Sequence, residues 1–344
     1  MDTHNKSYSK HFIIITVLLL FFCGLNISLG SVSIPLEEIF TVVFGGDTSK
    51  SSWQTIIINY RIPKTFTAIL VGSGLAISGL LMQTLFRNPL AGPFVLGISS
   101  GASLGVALLI LGTGFISSLF IPVTVSNWSL AIASSIGAFL VLLAVMVSAN
   151  RIKNTMSILI IGLMFGSLTS AVISILSYFS SAEQIQQYQF WGFGSLGNLS
   201  WQELFIFSTI YIVAVFGTFT VIKPLNSLLL GENYAKSLGI NIKRSRNLIL
   251  LITCLLTGVI TAFAGPIAFV GLAVPHIAKL IFTTSNHKIL LPATAILGAI
   301  ILLICDSISQ LPNTAYSLPI NAITSLFGAP IVIWLLIRKK KIYI

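Results

Sequence analysis

From Leu130 to Val147 the chain carries no charged side chain, and Phe12 to Phe22 repeats that character near the N-terminus. Runs of this kind leave few folding options. A membrane β-strand would show about ten residues of alternating polarity. A helix crossing a bilayer instead needs roughly 20 predominantly apolar residues in succession, and these runs suit it. Only 8% of the 344 residues are charged, against about 25% in soluble domains. So few charges cannot cover a water-facing surface. The sequence therefore predicts an all-α polytopic membrane protein of about ten transmembrane helices, with little chain left for a soluble domain.

The predicted spans are 12–30, 62–85, 94–112, 127–148, 155–178, 202–222, 246–264, 266–284, 289–309 and 318–337, in one transmembrane domain over 1–344. A basic start before Phe12 mimics a signal peptide, but Phe22-Cys23-Gly24 is a poor cleavage site, so the first helix is expected to be retained. With both termini inside, all of the 19 Lys and Arg residues except Lys50, Arg61 and Lys64 fall on the inner side. They include Lys6, Lys10, Arg87, Arg151, Lys153, Lys236, Lys243, Arg244, Arg246, Lys288 and the tail Arg338-Lys339-Lys340-Lys341. Of the eight acidic residues only Asp2 and Glu232 join them. That bias follows the positive-inside rule. The net charge of +11 thus reflects topology and contact with anionic lipid, not nucleic-acid binding.

Small residues are dense in the second span (Gly72, Gly74, Ala76, Ser78, Gly79) and recur at four-residue spacing in the third (Gly97, Gly101, Gly105). Such faces let helices approach closely in lipid. Ala91-Gly92-Pro93-Phe94-Val95-Leu96-Gly97 is echoed by Ala264-Gly265-Pro266-Ile267-Ala268-Phe269-Val270-Gly271, about half a chain later. The first copy follows an outside-to-inside helix and the second the reverse. The halves therefore read as an inverted repeat, a common transporter design. Gly-Pro at each start suits a broken helix.

The longest polar stretch of the second half is the cytoplasmic segment 223–246. Leu229, Leu230, Tyr234 and Leu238 can form one face of a short helix, with Glu232, Asn233 and Lys236 on the other. Gly231 and Gly239 would delimit it. Such an element could dock into a groove on a partner, or be a solvated loop. Arg61 and Lys64 start the second span outside, where cations are scarce; they could attract an acidic surface or anchor the helix in headgroups. His276 and His287 have no metal-ligand spacing and read as hydrogen-bonding residues. Asp306, near the outer end of the ninth span, invites a proton-coupling role, but its depth favours a cap or loop hydrogen bond. Trp191 and Trp201 anchor an outer, glycine-rich segment at the interface. Cys23, Cys254 and Cys305 sit in apolar surroundings without a CxxC pair. No Walker A sequence or Ser-His-Asp pattern occurs, so ATP would have to be bound by another chain.

Six phrases in order carry a resemblance: Arg61-Ile62-Pro63-Lys64; Ser78-Gly79 with Gln83; Arg87-Asn88-Pro89-Leu90-Ala91; Gly97-Ile98-Ser99-Ser100-Gly101-Ala102; Leu230-Gly231-Glu232 with Ala235 and Leu238-Gly239; and Phe269-Val270-Gly271-Leu272 with Pro275-His276. Over nearly its whole length the chain resembles the FecCD family, permease subunits of bacterial ABC importers for iron-siderophores, haem and vitamin B12. The resemblance implies a fold like the vitamin B12 importer permease, placed in the inner membrane. It further implies a permease dimer (homodimer or paralogous heterodimer), two cytoplasmic ATPase subunits that hold ATP and Mg, and an extracytoplasmic substrate-binding protein. No cofactor or catalytic residue is implied in this chain.

By the same resemblance the ATPase-coupling region falls on Leu225 to Ile240, with Leu230, Gly231, Glu232, Ala235, Leu238 and Gly239 within it. Binding-protein docking falls on Arg61 and Lys64. Three positions depart from the family pattern. Lys64 replaces an arginine and loses its bidentate fork. Gln310 stands where a third docking cation is usual, and Asn321 where glycine is usual. The alternative is an ion-coupled secondary transporter without an ATPase partner, which calls for an embedded carboxylate or sodium site.

Overall fold

The computed structural model describes residues 8–46, 48–112, 125–151, 155–310 and 317–337. Lys6, Lys153 and the Arg338–Lys341 tail, used in the charge count, lie outside them. The described residues are almost entirely helical, and their sole β feature is one isolated bridge between Gln310 and Ser317. Seven helical stretches are long and apolar enough to cross a membrane, and three shorter apolar helices complete the expected ten. In order these are α1 Ser9–Ser28, α4 Ile62–Leu85, α5 Ile98–Ile110, α6 Asn127–Arg151, α7 Thr155–Tyr178, α9 Trp201–Leu228, α11 Ile242–Ala264, α12 Val270–Phe282, α13 His287–Ser309 and α14 Ile320–Ile337. Between them lie four further helices, α2 Leu36–Val43, α3 Ser51–Ile56, α8 Ala182–Gly192 and α10 Glu232–Ser237.

Polar contacts at the helix ends fix the relative directions. Asn26, near the end of α1, accepts a hydrogen bond from Thr65 at the start of α4 (2.9 Å) and donates to Asp306 at the end of α13 (2.8 Å). At the other end of α4, the His287 imidazole opens α13 and stands between Thr84 Oγ1 (2.9 Å) and Asn226 Oδ1 near the end of α9 (2.7 Å). Thus α4 runs against α1 and α13 but along α9. The first and sixth spans then have opposite senses, as two five-span halves related by inversion require. The cross-half packing agrees: α4 packs on α12 and α13, while its counterpart α11 packs on α5 and α6.

Helix α4 is the buried centre, and its small residues explain how it gets there. A Cβ added at Gly79 would fall onto the carbonyl oxygen of Gly271 in α12. Backbone-to-backbone approach of this kind replaces the apolar driving force that lipid does not supply. Before α4, α3 passes through one π-helical turn, Ile57–Arg61. Pro63 has no N–H for the next helical bond and its ring crowds the preceding turn, so a widened turn relieves both.

Both copies of the echoed phrase break the helix. In the first, a 3-10 turn over Pro93–Leu96 ends at Gly97 with φ 75°, and α5 begins. In the second, Gly265 and Phe269 have positive φ, and α12 begins at Val270. The third and eighth spans are therefore shorter helices than the predicted 94–112 and 266–284. Conversely, α9 continues through Pro224 to Leu228 and α11 starts at Ile242, so segment 223–246 shrinks to a connection over 229–241. Lys223 and Arg246 mark where apolar sequence stops. The helices simply extend past that point.

Candidate functional site: the 229–241 connection and the outer polar cluster

Within 229–241 the chain forms α10, a helix of six residues between two glycines with positive φ, Gly231 (119°) and Gly239 (79°). Gly231 pairs that φ with ψ 149°, a region open essentially to glycine alone. Ala235 is fully buried, whereas Leu230, Tyr234 and Leu238 are 66%, 50% and 55% exposed. The buried methyl seats α10 against α9 and α11. Tyr234 lies within α10, and Leu230 and Leu238 flank it, so the connection exposes three large apolar groups. Glu232 lies in the first turn and Lys236 in the last, each favourable to the helix dipole.

The base of this element is held from the centre of the molecule. Arg87, with φ 46°, follows α4. Its Nε and an Nη both donate to the Leu228 carbonyl oxygen at 2.9 Å, which also accepts from the Gly231 N–H (3.2 Å) in the turn that closes α9. His276 Nε2 lies 2.9 Å from the Pro89 carbonyl and ties the Arg87-Asn88-Pro89 turn to α12.

At the opposite end, Arg61 and Lys64 turn inward. Arg61 is 7% exposed, and its guanidinium donates to the carbonyls of Ile27 and Ser28 at the end of α1 and of Val32 just after it. Lys64 Nζ makes a 3.1 Å ion pair with the almost fully buried Asp306. Neither expected docking residue offers a free cation here. Asp306 also accepts hydrogen bonds from Asn26 and from Gln310 (2.9 Å). Its role is therefore larger than the expected cap: it is the hub joining α1, α4 and α13. Gln310, which lacks the expected charge, feeds that hub. Asn321, the other departure, accepts from the Ala268 N–H at 3.0 Å, bracing the broken start of α12 from α14. No group of three or more His, Cys, Asp or Glu suited to a metal occurs among the described residues.

A tightly packed helical membrane protein of inverted halves, broken at matching places, has the build of a transport permease. The chain belongs to the FecCD transport family, whose model matches residues 17–338. It is 36% identical over 297 residues to the vitamin B12 import system permease protein BtuC of Salmonella arizonae, covering 86% of this chain and 87% of that protein. The same protein of Salmonella typhi is 35% identical, with 86% and 88% covered. A solved structure assigned to the metal-chelate type of ABC transporter, in an inward-facing conformation, matches with a TM-score of 0.83 at 28% identity. It covers 97% of this chain and 100% of that one. PsaBC of Streptococcus pneumoniae, at 17% identity and a TM-score of 0.53, shows the fold alone.

Proposed function

We propose that this chain is the membrane subunit of an ATP-driven importer for a large metal chelate, with ferric siderophores, haem and cobalamin as the candidate class. The observation that carries the ATP-driven reading is α10. Tyr234 within it and Leu230 and Leu238 beside it are exposed and have no use inside the fold, and a short helix flanked by such apolar anchors fits a groove on a soluble partner. ATP and Mg then belong to two partner subunits on that side. Movement of α10 passes through the Arg87–Leu228 contact to α4, and two such chains alternate the access of the path between them. A binding protein delivers ligand to the outer face. Because Arg61 and Lys64 are engaged in this conformation, docking through them requires an exchange of partners, with a carboxylate of the binding protein replacing Asp306 at Lys64. The chain itself makes or breaks no bond in this scheme. Curated relatives named for vitamin B12 and a structural relative of the metal-chelate type support the ligand class.

The test is uptake of radiolabelled ferric siderophores, haem and cobalamin into vesicles that hold this chain with its neighbouring ATPase and binding protein. Saturable, ATP-dependent uptake of one ligand is expected. Tyr234→Asp and Leu238→Asp should abolish it and release the ATPase while the permease stays folded. Uptake driven by an ion gradient without any ATPase would overturn the reading.

A further inference from the structure

A second cluster of titratable side chains lies on the α10 side, and only its Arg87 enters the scheme above. Arg87 from the end of α4, His276 and Lys279 from α12, and His287 and Ser285 at the start of α13 line one pocket, together with Gln83. None of the pocket's lining residues is acidic. Arg87, His276 and His287 have the partners already described, but Lys279 shows no hydrogen bond or ion pair among the described residues. Cationic charge drawn partly out of water without a counter-charge is costly. The pocket therefore has the electrostatics of an anion site.

Gln83 narrows the chemistry. It is 3% exposed; its Nε2 donates to the Leu272 carbonyl at 3.1 Å, while its Oε1 is buried without a partner. An orphaned acceptor beside cations calls for a ligand that brings a hydrogen-bond donor as well as negative charge. An ammonium donor would meet Arg87 and Lys279, so a hydroxyl is favoured. We infer that this pocket binds a phosphate oxyanion bearing a neighbouring hydroxyl: the headgroup of a glycerol-type anionic phospholipid, or free hydrogen phosphate. The charge bias puts the pocket in the inner leaflet, where basic pockets between transmembrane helices meet anionic headgroups. Bound there, the oxyanion bridges α4, α12 and α13 beside the Arg87–Leu228 contact. Its occupancy stiffens the base of α10. This site is independent of which ligand crosses the membrane.

Native mass spectrometry of the full chain released from nanodiscs gives the test, with phosphatidylglycerol, phosphatidic acid and phosphatidylethanolamine offered in equal amounts. Retention of phosphatidylglycerol above phosphatidylethanolamine is expected, lowered about fivefold by Lys279→Gln, the scale of one basic contact near a membrane surface. The exposed Lys288→Gln should leave it unchanged. Gln83→Leu should erase the preference for phosphatidylglycerol over phosphatidic acid. In lipid-free detergent, phosphorus NMR of inorganic phosphate forms the second arm; broadening that Lys279→Gln removes, without lipid retention, assigns the site to free phosphate. Equal phosphatidylglycerol retention by the native chain and Lys279→Gln, with no phosphate broadening, overturns the inference.

Discussion

Asp306 is the residue on which the end of the molecule opposite α10 turns. Removing one member of a buried ion pair strands the other, and Asp306→Leu should cost about 3 kcal/mol, the low end for such pairs because Lys64 is partly exposed. Thermal unfolding in detergent would show it. Adding Lys64→Met should recover part of the loss, and an unchanged melting temperature for the single variant would deny the pair its role. The sequence placed Asp306 near the end of the ninth span, where α13 has it, but could not name its partners. Asn26 lies 280 residues away, and a ten-helix pattern says which residues are apolar without saying which helices meet. Arg61 carries the same lesson in reverse. Its scarce positive charge suggested a surface for a partner, and nothing in the sequence announced the carbonyls at the end of α1 and just after it that hold the guanidinium within the chain. Asn321→Gly, which restores the usual family residue, should lose the bond to Ala268 and cost about 1 kcal/mol, read as a lower melting temperature.

For the helices as units, apolar runs located every span, and glycine-proline phrases located both breaks. Helix ends were less legible, because hydropathy marks the limit of lipid while hydrogen bonding decides where a helix stops. Thus α9 and α11 run past their predicted ends. Helices α2, α3 and α8 lie outside the apolar runs and gave no such signal. Glycine-rich faces were legible as close-packing surfaces, though the sequence could not match Gly79 with Gly271. Gly79→Val should therefore prevent α4 from seating on α12, with almost no monodisperse protein by size-exclusion chromatography. Gly24→Ala is the control. Nothing lies within 4 Å of a Cβ at Gly24, so alanine should be neutral or stabilise α1 by about 0.5–1 kcal/mol. If Gly79→Val elutes like the native protein, the close approach is not needed.

In the molecule as a whole, the contacts at helix ends establish which ends lie together, and the charge bias assigns the inner side. Accessibility can check that assignment. Cysteine placed at the exposed Lys288 should react with an impermeant maleimide only from the cytoplasmic side, and cysteine at the exposed Lys50 only from outside. The reverse pattern would invert the protein in its membrane. Half of the fold's logic, the inverted repeat, was visible as one echoed phrase; the helix directions that go with it needed Asn26 brought to Thr65 and Asp306 at one end, and Thr84 and Asn226 brought to His287 at the other.

The span of 280 residues between Asn26 and Asp306 also sets a schedule. A ribosome adding about 5–20 residues per second takes roughly 14–56 s to cover that distance. During that interval the amide of the first helix and the ammonium of Lys64 wait near the membrane for a carboxylate that has not yet been made. A chain cut short before its ninth span never receives it. Such fragments would enter the bilayer with unanswered polar groups, and the membrane's proteases would have a chemical mark by which to tell an unfinished subunit from a complete one.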